Sequence, residues 1–382
     1  MDAPESMDVP ESIQLFYQAD WITFGIRKRL NLSPLKATIL LCLLCNTVLL
    51  IAAIHDNIVF SNDGRLGFLN DYSWWISTFL GYSVVAYTFL WLPGGITETI
   101  SGLIKNKVIK IPASHKDGRE ALDIYIRKFF KSYSNPLWYI IFSVMVIPLL
   151  IGLATEQKES YMSWITASNF IFGFELFIFV LHFFFFIILL IRTVVAINWL
   201  NRLFKDFDVD VRVLHPDSAG GLAPISRFST VIVYTIAAAA IANVSGDILD
   251  AAHLGKAYID CLVTQPFSLF FFISYCIFAP IVFFAPLTVA HTAMKRAKDE
   301  FITKLSDQYE IEISHINTLL VGDSVELKDS LSKLAELQEL HNIASKFPVW
   351  PFNTSNLVRL FGSIVAPLLL SFISILMEHF FK

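Results

Sequence analysis

Apolar residues gather along this chain into seven stretches, at 37–54, 74–93, 136–154, 165–191, 229–246, 267–290 and 356–378. Each is close to the ~20 residues that an α-helix needs to cross the hydrocarbon core of a bilayer. Backbone groups find no water there and must pair within their own segment, so such runs predict helices. The pattern therefore predicts an all-α fold, a polytopic transmembrane helix bundle of about seven spans.

The polar intervals between the stretches alternate in basic content. Arg27, Lys28, Arg29 and Lys36 precede the first span, whereas 55–73 holds Arg65 alone. Eight Lys and Arg follow in 94–135, one in 155–164, five in 192–228, one in 247–266 and seven in 291–346. Basic loops stay in the cytosol, which predicts a cytosolic N-terminus and an external C-terminus. Tryptophan, which prefers the membrane interface, agrees. Trp74, Trp75 and Trp164 fall at outer span ends, and Trp91, Trp138, Trp199 and Trp350 at inner ones.

Four parts follow: a cytosolic tail with an interfacial amphipathic helix (1–35), six spans with short outer loops (36–290), a cytosolic helical hairpin (291–352) and a seventh transmembrane helix (353–382). In the first part, Asp-x-Pro-Glu-Ser occurs at 2–6 and again at 8–12. Residues 13–30 interleave Phe16, Tyr17, Trp21 and Phe24 with polar positions. They read as a helix on the inner leaflet, or alternatively as an element packed into the bundle. A second amphipathic helix, starting near Ser114 or Asp117 and running toward Tyr133, is expected beside the lipid surface. In the hairpin, 291–320 extends the sixth span into water, Gly322-Asp323 breaks it, and Leu327, Leu331, Leu334, Leu337, Leu340 and Ile343 form a stripe facing back. Packing within the chain is the favoured reading of that stripe, with homo-oligomer formation as the alternative.

Composition fits this class, with 55% hydrophobic and 14% aromatic residues in 382. The net charge of −4 and basic residues confined to loops exclude a nucleic-acid footprint. They make the lipid bilayer, and anionic lipid head groups at the inner face, the expected partners. Four cysteines, with Cys42, Cys45 and Cys276 inside spans, form no disulfide framework. There is no phosphate-binding loop, HExxH, GxSxG or arginine ladder, so an ATP-driven pump, a common hydrolase and a voltage sensor are not expected. No cofactor is expected.

Candidate chemistry lies first in the fourth span. Glu175 and His182 are seven residues apart, nearly on one helical face, and Ser168 continues that face. A charge at membrane depth costs at least ~2.5 kcal/mol, so these groups should turn toward protein or a water-filled pathway. The fifth span, with Ala237 to Ala240, Ala242, Asn243 and Ser245, suits close helix packing or the lining of a pore. Beyond it, Asp247, Asp250 and His253 read as solvated loop residues or as a cation-attracting cluster. Pro280 and Pro286 should bend the sixth span.

The densest run of special residues is Val213-Leu214-His215-Pro216-Asp217-Ser218-Ala219-Gly220-Gly221-Leu222-Ala223-Pro224. His215 and Asp217 could bind a ligand or metal, and Gly220 and Gly221 can turn N–H groups toward an anion. The bland alternative is a rigid turn in which Asp217 caps the next helix. The pattern HPD-x-x-GGL, with the later Trp350-Pro351-Phe352, resembles segments of uncharacterised bacterial polytopic membrane proteins. That resemblance implies a bacterial inner membrane location and no particular activity. The function expected is a gated ion or small-solute pathway lined by Glu175, His182, Ser168 and Asn243. The alternatives are a membrane-embedded enzyme on a lipid-type substrate, using His215 and Asp217, and a non-catalytic scaffold or signalling subunit.

Overall fold

The computed structural model describes residues 10–61, 65–110, 116–160, 163–213, 215–264, 266–319, 324–351 and 354–380. Among these the architecture is helical, with two isolated β-bridges, Leu66 to Ser163 and Ile109 to Val209. The helices are α1 (Pro34–His55), α2 (Tyr72–Lys105), α3 (Lys116–Tyr133), α4 (Leu137–Ser160), α5 (Asn169–Asp206), α6 (Ala223–Leu254), α7 (Tyr258–Thr264), α8 (Pro266–Leu319), α9 (Ser324–Ser345) and α10 (Thr354–Phe380). Among the described residues, five helical stretches are long and apolar enough to cross a membrane: α1, α2, α5, α6 and Phe272–Thr318 of α8. Helices also occupy the other two expected positions, as α4 and α10.

Local chemistry sets the helix ends. The Ser33 hydroxyl accepts the Lys36 N–H with Pro34 at the first helical position, Asp71 accepts from Trp74, and Ser168 accepts from Ile171. Gly255, at φ +61°, closes α6 in the left-handed region. Within α2 the turn Ser77–Tyr82 is π-helical.

The core forms where α2 packs on α5 and α6, through Val85, Phe89, Leu92, Phe185, Leu189, Ile232 and Ile236. Thr235 donates to the Val231 carbonyl, so Thr88 is the donor in the 2.6 Å hydroxyl pair that bridges α2 and α6. Facing outward are Leu40, Leu43, Leu44 and Ile51 of α1, and Ile140, Val144, Ile147 and Ile151 of α4. Water would not tolerate so much contiguous apolar surface, whereas lipid tails cover it without cost.

Two amphipathic segments are packed rather than peripheral. Ile13 and Phe16 are buried, and Phe16 meets Phe129 and Tyr133 of α3 edge-on at 4.8 and 5.3 Å. Helix α3 buries Leu122, Ile126, Phe129 and Tyr133. Its apolar stripe therefore faces protein, leaving Lys128 and Lys131 outside. For residues 13–30 this favours the bundle-element alternative. The Asp-Pro-Glu-Ser repeat lies largely outside the described residues.

Helix α8 has 54 residues, about 80 Å at 1.5 Å per residue, and continues well past a bilayer's ~30 Å core. Pro280 and Pro286 both lie inside it. Helix α9 returns antiparallel: Lys298 donates to the Ser345 carbonyl, Glu312 pairs with Lys333 at 2.6 Å, and His315 meets Ser330. The expected break at Gly322-Asp323 lies outside the described residues. Leu331, Leu340 and Ile343 of the expected stripe remain exposed.

Candidate functional site

Helix α5 buries two heptad rows. One runs through Glu175, half-buried His182, Leu189 and Ala196, the other through Ile171, Ile178, Phe185 and Arg192, and this double burial makes α5 central. Beside it, a slot of about 410 Å³ opens between α2, α4, α5, α6, α8 and α10. On α5 its lining runs from His182 to Val195, about 20 Å along the axis. On α6 it runs from Ile236 to Asp247 in the opposite sense. Ser77, Tyr82, His182, Asn243 and Asp247 thus collect at one end, while Trp138, Ile191, Val194, Val195 and Ile236 form an apolar end.

Each wall has a local cause. Ala239, Ala240 and Ala242 project no bulk from α6, which leaves the space open. The π-turn of α2 presents Ser77, Gly81 and Tyr82 to the slot, and such turns recur at functional positions. His182 is held by stacking, 4.0 Å from the Tyr82 ring and 6.5 Å from Phe186. Its Nδ1 is buried and meets no hydrogen-bond partner among the described residues. The volume falls in the range of small-molecule pockets, and mainly apolar walls with a few convergent polar groups are their usual chemistry.

Of the four expected pathway residues, the slot brings His182 and Asn243 together. Glu175, 9% exposed, lies two turns away on the same helix and is not among the slot's lining residues. Ser168 caps α5, and its hydroxyl, with His55, holds the carboxyl of Asp56 below the usual carboxylate range.

The loop after α5 is an internally closed turn. Ser218, Gly220 and Gly221 have φ of +53°, +66° and +91°. This winding directs the N–H groups of Ala219 and Gly221 onto Asp217 Oδ1 at 2.9 and 3.0 Å, and that of Ala223 onto Oδ2 at 3.3 Å. His215 Nδ1 sits 2.7 Å from the same carboxylate. Burial alone would raise the Asp217 pKa, but the N–H groups of Gly221 and Ala219, His215 and the Ala223 N–H outweigh it and hold the carboxyl below its ordinary value. The nest thus already contains an anion, the side chain of Asp217, which caps α6. Gly221 is also required by packing, because a Cβ there would stand 2.5 Å from Val108 Cγ2. Leu214 lies outside the described residues. Among the described residues no three His, Cys, Asp or Glu side chains converge as a metal cage.

One polar centre has no counterpart in the sequence reading. Arg192 Nη1 donates to Asp20 Oδ2 at 2.7 Å, with the side chains 2% and 1% exposed. The guanidinium lies over the Tyr133 ring at 4.8 Å and the Phe89 ring at 5.5 Å, and Nη2 reaches the Ala19 carbonyl and the Tyr139 hydroxyl at 3.4 Å. Asp20 also caps the turn at Trp21 by accepting from Thr23. The available signal was periodicity: Arg192 follows Ile171, Ile178 and Phe185 at seven-residue intervals, on a face already committed to the core.

Comparison with known protein families, with curated proteins and with solved structures yields no match to this chain.

Proposed function

We propose that this chain is a membrane protein forming a gated pathway for a small solute, with the slot between α5 and α6 as its chamber. What carries the reading is one cavity of about 410 Å³ that combines apolar walls with His182 and Asn243 at a single end. A solute with an apolar body and one hydrogen-bonding group suits that division better than a bare ion. Apolar constrictions shed water and hold ions back, so this conformation corresponds to the closed state. Glu175 and Ser168 extend the route along α5 beyond the polar end. In this reading α4 and α10 complete seven spans, the N-terminus and the α8–α9 hairpin face the cytosol, and the C-terminus lies outside a bacterial inner membrane.

The test is solute entry into proteoliposomes, measured for neutral amphiphiles and for ions, with wild type beside Ala240→Trp and His182→Ala. Filling the slot at Ala240 should abolish entry, and removing His182 should change which solutes enter. Entry equal to that of protein-free liposomes for every solute, or entry unchanged in Ala240→Trp, would sink the proposal. Labelling single cysteines placed in 324–345 and at the C-terminus, from either side, checks the topology.

A further inference from the structure

A second pair of recesses, sharing no lining residue with the slot, lies where the N-terminal segment meets α1. An open pocket of about 660 Å³ is lined by Tyr17, Phe24, Arg27, Lys28, Asn31 and Ser33, among others. Arg27 lies over the Tyr17 ring at 5.1 Å and Lys28 over the Phe24 ring at 5.3 Å. Neither cation forms an ion pair with a described carboxylate, so both charges remain available at the pocket. An apolar groove of about 370 Å³ runs between α1 and α2, lined by Leu35, Ile39, Leu43, Phe79, Val84 and Tyr87.

The two recesses follow each other along the same helices. Ser33 of the pocket and Leu35 of the groove are two residues apart at the start of α1. On α2, a Cβ at Gly94 would stand 3.1 Å from the Tyr17 hydroxyl and 3.9 Å from Arg27, which fixes the pocket's level. Tyr87 of the groove lies seven residues earlier on the same helical face, about 10 Å along the axis. That separation suits the distance from a phosphate, through glycerol, to the upper part of an acyl chain. The groove's outer residues Leu35, Ile39, Leu43 and Phe79 are exposed on the apolar surface of the bundle, where lipid tails have direct access.

We infer that these recesses form one binding site for an anionic phospholipid, its phosphate between Arg27 and Lys28 and one acyl chain in the α1–α2 groove. The ring beneath each cation adds to the fit, because Tyr17 and Phe24 hold the basic side chains over the pocket and give the glycerol region an apolar wall. A soluble phosphate could use the cations but not the groove, and a zwitterionic lipid could use the groove but brings its own cation.

The experiment is native mass spectrometry of the full chain in detergent, titrated with phosphatidylglycerol, phosphatidylcholine or inorganic phosphate. Each basic residue near a membrane surface is worth about fivefold in affinity, so the first phosphatidylglycerol should bind about thirtyfold tighter than phosphatidylcholine. Arg27→Gln with Lys28→Gln, at a half-buried and an exposed position, should remove that preference, and Val84→Trp should weaken both lipids by filling the groove. Millimolar phosphate should displace neither lipid. The inference fails if the double variant keeps the preference, if Val84→Trp binds as wild type, or if phosphate competes, which would assign the pocket to a soluble anion.

Discussion

Breaking the Asp20–Arg192 pair should release the N-terminal segment from the bundle. The pair is 2.7 Å long with side chains 1% and 2% exposed, so removing either partner leaves the other charge buried without its counter-ion. Such half-removals cost about 3–5 kcal/mol. Arg192→Met should fall in that range. Asp20→Ala should cost about 1 kcal/mol more, because the cap on Thr23 is lost as well. The double variant should cost far less than the sum, giving a coupling of about 3 kcal/mol, because a buried pair and an apolar replacement are often nearly equivalent. The cost should appear first locally, since residues 11–29 join the bundle through Ile13, Phe16 and Asp20, which meet α2, α3 and α5. A loss of about 3 kcal/mol multiplies the detached population roughly a hundredfold. Arg27, Lys28 and Arg29 supply tryptic sites in this segment, and cleavage there tracks the open population when reclosing is fast. The assay is the cleavage rate beside melting in detergent for wild type, both singles and the double. Single variants cleaved within about twofold of wild type, or a double variant that is simply additive, would refute the reasoning.

Three further outcomes follow from the same geometry. Thr88→Val should destabilise the α2–α6 contact by about 0.6 kcal/mol and at most about 1.7, and Thr88→Ser should be near neutral, both read from detergent unfolding. Gly221→Ala, combining φ +91° with a Cβ 2.5 Å from Val108, should cost more than about 2 kcal/mol and speed hydrogen exchange across 217–223. The Asp217 carboxyl is held below its ordinary value of 3.8, so its stabilisation is complete above that value and is lost as pH falls through the lowered one. Asp217→Ala should flatten that acid limb of loop protection, and an acid limb identical to wild type would contradict it.

How much the sequence reveals depends on which solvent a face meets. Helices α1, α5 and α6 are legible because a predominantly apolar run long enough to cross a bilayer favours a helix over any other structure. An amphipathic stripe is ambiguous, because lipid and protein accept the same side chains. Ile126 and Phe129 of α3, and Ile13 and Phe16 before α1, read as membrane-facing yet lie in the core. Arg192 is hidden by a related effect. Helix α5 continues to Asp206, so a residue that hydropathy assigns to a loop stands in the core, and its partner Asp20 is 172 positions away. In the candidate site, His182 was legible as an ionisable residue of an apolar helix, whereas Glu175, expected with it from the spacing, is not among the slot's lining residues. The slot beside His182 was not legible, because its width depends on how alanines of α6 and the π-turn of α2 meet α5, information carried by three distant segments at once.

The distribution of satisfied polar groups bears on the proposed chamber. Asp71 accepts from the Trp74 N–H, the Ser73 hydroxyl and the Trp164 indole, Asp20 is held by Arg192 and Thr23, and Asp217 by three backbone N–H groups. Each carboxylate is tied to the scaffold, Asp71 and Asp20 by joining distant segments and Asp217 by closing its own loop. A group engaged in this way is poorly placed to recognise a solute, since exchanging partners would cost the desolvation that the scaffold already balances. His182 differs, because its Nδ1 is buried and meets no described partner while its ring borders the slot. An unpaired polar atom in a core costs about 1–3 kcal/mol, and because Nδ1 itself is covered, a solute in the proposed chamber would meet the rest of the imidazole ring. The same helix carries Arg192 ten residues on, about 15 Å along the axis. Helix α5 thus joins a buried ion pair at one level to a slot-lining imidazole at another, the arrangement that the proposed chamber would need to hold its shape.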